Sequence, residues 1–162
     1  MRILVVSDTH GRLGAVQHVI GQLGHVDLIL HAGDHYRDGD NLAYMLEIPA
    51  RGVIGNCDFP GEGPYDELLE VEGHKIFMTH GHRYGVKRDA DAILQRAKIL
   101  GASVAIYGHT HVAEYRCEDG IILMNPGSPA YPRGEERASV GVLEIEGEKI
   151  QGQIYLVDYF FP

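Results

Sequence analysis

Several short apolar, strand-like runs in this chain end in residues that can bind a divalent metal. They are ILVVS into Asp8-Thr-His10, LILHA into Gly33-Asp34, GVI into Gly55-Asn56, KIFMT into His80-Gly-His82 and SVAIY into Gly108-His109-Thr-His111. Loops leaving the carboxyl ends of strands in an α/β sheet converge on one crevice. Donors spread from Asp8 to His111 can therefore meet at one point, and the pattern calls for an α/β chain with its chemistry at the strand ends.

The remaining pattern agrees. Arg2 to Ser7 is a nearly continuous run of Ile, Leu and Val, typical of a strand covered on both faces. Beyond Gly11, Leu13, Val16, Ile20 and Leu23 recur at three- and four-residue steps and predict a helix ending near Gly24. Asp27 to Ala32 is a second strand, Asn41 to Leu46 a short helix and Ala50 to Ile54 a third strand, a βαβαβ start. The segment from Phe59 to Tyr65 is rich in Gly and Pro and reads as loop. Strands at Glu67 to Val71 and Lys75 to Thr79 flank Glu72-Gly73-His74 as a hairpin. A helix opened by Asp89 or an adjacent polar residue follows, with Ala90, Ile93, Leu94 and Ala97 inward and Gly101 at its end. Ser103 to Tyr107 returns as a strand. Turn signals at Glu118-Asp119-Gly120 and Glu146-Gly147-Glu148 divide the rest into antiparallel strands, the last from Ile150 to Tyr159. Two sheets packed face to face with helices outside account for this order, in one domain over residues 1–162.

A net charge of −9 opposes broad binding to nucleic acid, which rests on many Lys and Arg contacts to phosphate. A small anionic substrate remains compatible, because divalent cations in a cleft reverse the local field. Cys57 and Cys117 match neither a disulfide framework nor a paired-thiolate zinc site, as expected in a reducing compartment. No run approaches the roughly 20 apolar residues that cross a bilayer, and the amino terminus reads as a buried strand and not a signal peptide. The expectation is a cytoplasmic protein without membrane contact, for which a homo-oligomer is compatible.

Aspartate, histidine and asparagine are mixed oxygen and imidazole donors that suit manganese, iron or zinc, and the lack of clustered thiolates argues against a closed structural zinc site. Asp8 and His10 alternate around Thr9, and His109 and His111 around Thr110, so each pair can face one side of an extended loop. Asp34 has two oxygens, enough to bridge two cations, and Asn56 adds a neutral carbonyl oxygen.

In this order, Asp-x-His, Gly-Asp, Gly-Asn-x-Asp, a strand-borne His-Gly and Gly-His-x-His resemble the signature of calcineurin-like metallophosphoesterases. The resemblance runs from Asp8 to the Asn125-Pro126-Gly127-Ser128 turn. The compact length, GNCD at 55–58, THGH at 79–82 and NPGS at 125–128 are similar to the small bacterial and archaeal phosphodiesterase subgroup, which is related to the eukaryotic retromer scaffold subunit. The resemblance implies a four-layer α-β-β-α sandwich of two mixed sheets with flanking helices. It implies that Asp8, His10, Asp34 and His111 hold one metal, and Asp34, Asn56, His80 and His109 the other. It further implies hydrolysis of a small phosphodiester by a hydroxide bridging two divalent ions, manganese first, with iron, zinc or nickel as alternatives. A phosphomonoesterase and a non-catalytic protein-interaction scaffold are the competing functions.

One position departs from the pattern. Many relatives carry a histidine that protonates the leaving group where this chain has Cys57, followed by Asp58, the residue that would orient that histidine. A thiol with an ordinary pKa of about 8.5 is a poor substitute for an imidazolium. Protonation then falls to His82 or water, or is dispensable for a good leaving group; Cys57 is equally read as a small filler. Asn56, Cys57, Asp58 and His82 form the candidate catalytic set, although His82 can instead support His80 from behind. His31 reads as a core or supporting histidine beside His35 at the Gly-Asp turn, and His18, His25 and His74 read as solvated. Cys117 reads as structural and NPGS as a tight turn. Arg12 and Arg133 could meet a substrate phosphate through a guanidinium fork, and Tyr36 and Tyr84 could border the pocket, but all four read better as surface or loop residues and carry no mechanism.

Overall fold

A computed structural model describes residues 1–134 and 137–157. The layering follows from how β1 (Arg2–Val6) divides its side chains. Ile3 and Val5 enter a core shared with Ile76, Met78, Val104, Ile106 and Met124. Leu4 and Val6 pack on the other face with Val16, Val19, Ile20 and Leu42. The first set lies between two sheets and the second beneath helices, which is why this strand is apolar at almost every position.

One sheet joins β1 to β2 (Leu28–His31), β3 (Ala50–Gly52), β9 (Ser139–Glu146) and β10 (Lys149–Leu156), in the order β10-β9-β1-β2-β3. Within it β1, β2 and β3 are parallel, and β9 is antiparallel to both neighbours. The other sheet contains β4 (Asp66–Val71), β5 (His74–Thr79), β6 (Val104–Ile106), β7 (Ala113–Glu118) and β8 (Ile121–Pro126), in the order β4-β5-β6-β8-β7. Here β5, β6 and β8 are parallel and the edge strands β4 and β7 antiparallel. Helices α1 (Gly14–Leu23) and α2 (Arg37–Leu46) cover the first sheet. Helix α3 (Asp91–Leu100) covers the second, over Phe77, Ala105, Tyr107 and Leu123. The result is the expected α-β-β-α sandwich of two mixed sheets.

Two local differences have physical causes. Helix α2 begins at Arg37, before the expected Asn41, because its first turn is anchored by polar contacts of the buried Asp38 and not by apolar spacing. The hairpin between β4 and β5 turns on Glu72 and Gly73 alone, both at positive φ, which leaves His74 as the first residue of β5. A 3-10 turn, His82–Tyr84, follows β5 in a stretch to which the sequence pattern assigned no element. Strand β10 starts at Lys149; the expected extension over Asp158 and Tyr159 lies outside the described residues. Among the described residues no helix is long and apolar enough to cross a membrane.

Candidate metal centre

The candidate donors follow β1, β2, β5 and β6 directly and β3 after a short buried extension, and the backbone bends sharply where they do. Asp8, His10, Asp34, His109 and His111 all have φ between 46° and 69°, in the left-handed region that non-glycine residues rarely occupy. Such conformations persist only where surrounding structure enforces them, and they gather at functional sites. The glycines before Asn56 and His109 answer a different need. A Cβ on Gly55 would collide with the Asp34 carboxylate, and one on Gly108 with Ser7 and Asp8. Gly55 thus lets the loop after β3 close on its neighbour in the same sheet, and Gly108 lets the loop after β6 close on the loop after β1 of the opposite sheet.

Asp8 is fully buried and sits at the centre of this closure. Its backbone N–H donates to the Gly33 carbonyl at 2.9 Å, and its own carbonyl accepts from Ser128 Oγ at 2.8 Å. Carboxylate oxygen Oδ2 accepts from Ser7 Oγ at 2.6 Å and from the His109 backbone N–H at 3.0 Å. The other oxygen, Oδ1, is buried with no hydrogen bond, 3.1 Å from His111 Nε2 and 4.0 Å from His80 Nε2. Asp34 Oδ1 accepts from the Cys57 N–H at 2.9 Å and lies 3.4 Å from His80 Nε2, while Oδ2 lies 4.0 Å from His10 Nε2.

The imidazoles face inward for a definable reason. His80 Nδ1 donates to the Ala32 carbonyl at 2.8 Å, and His111 Nδ1 donates to the Tyr131 carbonyl at 2.6 Å. A carbonyl only accepts, so each neutral ring must carry its proton on Nδ1 and aim the Nε2 lone pair at the centre. Around His80 Nε2 stand Asn56 Oδ1 at 3.2 Å and the Asp34 carboxylate, also acceptors. Lone pairs facing lone pairs repel unless a proton or a cation lies among them. This donor set, with an orphaned buried oxygen and no clustered thiolate, fits hard or borderline divalent ions.

Ligand atoms of Asp8, His10, Asp34 and His111 all lie within 4.8 Å of one another, so these four residues can hold a metal ion. Asn56, His80 and Asp34 converge beside them, with the His109 ring 5.1 Å from that of His80. Charge follows the same geometry. Burial pushes the Asp8 carboxyl up, but His111, His80 and Ser7 outweigh it and hold the group below its ordinary range. Burial likewise opposes ionisation of Asp34, yet His80 and the Cys57 N–H keep it well below the usual carboxylate value. Burial, with His80 and Lys87 nearby, pushes His109 down to about 4, and burial also lowers His10, so both present unprotonated rings at neutral pH.

The catalytic candidates occupy the rim. The His82 ring lies 5.4 Å from His80 and 6.1 Å from His109, with a buried Nδ1 that has no partner. Cys57 is exposed, and burial of its thiol together with Asp34 and Asp58 raises it to about 11. Asp58 accepts from the Gly55 N–H at 2.7 Å and the Tyr36 N–H at 2.8 Å, so it clamps the Asn56 loop to the start of α2. Of the border residues, Tyr84 turns away to donate to Asp66 at 2.7 Å, and Arg12 stacks 4.3 Å over Tyr131. Arg133 uses its backbone N–H on the His111 carbonyl at 3.3 Å.

Among the supporting residues, the sequence marks His31 as a core or supporting histidine and NPGS as a tight turn but carries no signal for Thr9 or Asp38. His31 is buried, accepts from the Gly33 N–H through Nδ1 at 3.2 Å and reaches Thr9 Oγ1 through Nε2 at 2.9 Å. Thr9 donates to Asp38 at 2.6 Å, and Asp38 also accepts from the Gly11 N–H at 2.7 Å. His10 is thus flanked by two residues tied to α2. Burial lowers His31 to about 4, so it acts as a neutral strut. The NPGS turn does more than reverse the chain. Asn125 Nδ2 donates to the Gly108 carbonyl at 3.0 Å, and Ser128 Oγ accepts from Tyr131 N–H at 2.8 Å, fixing the loop whose carbonyl orients His111.

Residues 1–148 match the calcineurin-like phosphoesterase superfamily domain. The probable metallophosphoesterase YsnB of Bacillus subtilis is 35% identical over 156 residues, which cover 96% of this chain and 90% of that protein. The phosphodiesterase YfcE of Escherichia coli K12 is 34% identical over 172 residues, covering 89% of this chain and 88% of YfcE. The crystal structure of Vps29 from Entamoeba histolytica, complexed with Zn2+, superposes with a TM-score of 0.82 at 24% identity, over 96% of this chain and 92% of that one, a likeness of fold. With its donors gathered at the strand ends of a two-sheet sandwich, this chain belongs to the calcineurin-like phosphoesterase superfamily.

Proposed function

We propose that the chain is a dinuclear metal-dependent phosphodiesterase acting on small phosphodiesters, as one domain over residues 1–162 in the cytoplasm. In this reading Asp8, His10, Asp34 and His111 hold one cation, and Asp34, Asn56, His80 and His109 hold a second, manganese in the first instance. When bound, such a pair supplies Lewis acidity that activates water and neutralises charge on the phosphoryl oxygens. The single observation that carries this reading is the buried Asp8 Oδ1 without a hydrogen bond, faced by the Nε2 atoms of His80 and His111, whose Nδ1 atoms are held by backbone carbonyls.

The protein's own groups divide the remaining work. Ala32 and Tyr131 carbonyls fix the tautomers of His80 and His111. Asp58 and the Cys57 N–H fix the Asn56 loop and the Asp34 carboxylate. Cys57 and His82 stand at the rim, where a departing oxygen is protonated. The YfcE likeness supports a diester over a monoester. The Vps29 likeness favours a second reading, a protein-interaction scaffold, which the intact donor set opposes.

Steady-state kinetics on bis(4-nitrophenyl) phosphate and 4-nitrophenyl phosphate separate these readings. Manganese-loaded protein is expected to turn over the diester with a kcat/KM at least about tenfold higher, roughly 1.4 kcal/mol. Activity disappears on chelation and returns with Mn2+. Preference for the monoester contradicts the diester assignment, and metal-loaded protein inert to both esters favours the scaffold.

A further inference from the structure

A cleft of about 260 Å3 opens beside the donor cluster, between the start of α2 and the loop after β3, with His35, Arg37, Cys57, Phe59 and Glu62 among its walls. It meets the cluster at two points. The His35 ring packs edge-on against His10 with centroids 5.2 Å apart, and the Cys57 N–H bonds Asp34 at 2.9 Å. A group attached to phosphorus at the cluster therefore has this cleft as its neighbour.

Phe59 is 77% exposed, and an isolated exposed aromatic is by itself unremarkable. Its mounting is what singles it out. The Phe59 N–H donates to Glu62 Oε2 at 3.1 Å, and the Glu62 N–H returns to the Phe59 carbonyl at 3.2 Å. Arg37 of α2 then grips Glu62 Oε1 at 2.9 Å. The ring is thus presented by a closed turn braced against a helix, so little loop entropy opposes stacking. The cleft is smaller than the roughly 300–1,000 Å3 of pockets that enclose drug-sized ligands, a size for one ring system.

Resting on the phosphoesterase reading and deepening it, we propose that Phe59 and His35 wall a subsite for a planar aromatic arm of the ester, an aryl group or a nucleobase. Phe59 is then the residue that sets preference for aromatic over alkyl arms. The ring faces offer stacking that a saturated arm of equal size does not match.

The test uses two methyl phosphodiesters with leaving groups of similar acidity, one 4-chlorophenyl and one hexafluoroisopropyl, so that chemistry is held nearly constant while shape changes. In the manganese-loaded full chain, Phe59→Ala should lower the aryl-to-fluoroalkyl ratio of kcat/KM about tenfold, mainly through KM, the scale of one lost stacking contact. Phe59→Tyr should restore it. An unchanged ratio in Phe59→Ala overturns the proposal. A second arm needs no turnover: calorimetric binding of benzylphosphonate against cyclohexylmethylphosphonate. Wild-type protein should prefer the planar compound and Phe59→Ala should lose that preference, whereas equal binding by the wild type overturns the subsite. Wild-type protein that cleaves neither ester yet keeps the preference for benzylphosphonate defeats the phosphoesterase reading and supports the subsite.

Discussion

Asp34→Asn should reduce kcat/KM for a phosphodiester at least about a thousandfold, on the order of 4 kcal/mol of lost transition-state stabilisation. The reason is geometric. Asp34 presents Oδ2 toward His10 and Oδ1 toward His80, so its carboxylate faces both halves of the donor cluster with a separate oxygen for each. An amide keeps the shape and one oxygen to accept the Cys57 N–H, which predicts an unchanged circular dichroism spectrum. It removes the charge and the second oxygen donor, so calorimetric titration with Mn2+ should lose its high-affinity phase together with activity. Retained turnover in a folded, metal-poor variant would show that chemistry occurs elsewhere on the molecule.

Cys57→His should raise kcat on a diester with a poor leaving group by roughly 10- to 100-fold, and leave a 4-nitrophenyl ester nearly unaffected. General acid catalysis is worth about 10²–10⁴ where it operates, and only a basic leaving oxygen needs it. The native thiol is a weak donor, raised to about 11 by burial and by Asp34 and Asp58. The engineered ring inherits an exposed position in the cleft. It does not inherit a free orienting carboxylate, because both Asp58 oxygens already accept backbone N–H groups, so the gain stays at or below the lower end of that range. The measurement is a plot of rate against leaving-group pKa for both proteins. A slope that does not flatten in the variant would assign the proton to a donor already present, for which His82 is placed.

Much of this arrangement was legible in the chain because metal-binding side chains at strand ends are a matter of residue type and order. Asp8, His10, Asp34 and His111 could be named as donors from residue type at strand ends, their grouping on one metal followed from the family resemblance, and they are found together. The layering was legible too, since Ile3 and Val5 divide from Leu4 and Val6 by simple alternation. What escaped is carried by backbone. The carbonyls of Ala32 and Tyr131 set the tautomers of two histidines, and a carbonyl leaves no mark in a sequence. Asp38 escaped because an apolar period cannot see a helix turn whose buried residue is held by Thr9 and Gly11. Left-handed φ at His109 and His111 is equally silent, for nothing about a histidine demands it.

The most direct measurement is anomalous diffraction from crystals of the full chain grown in Mn2+. Two peaks are expected, one among Asp8, His10, Asp34 and His111 and one among Asp34, Asn56, His80 and His109, both touching the Asp34 carboxylate. A single peak, or side chains turned apart with none, would contradict a dinuclear centre at these residues.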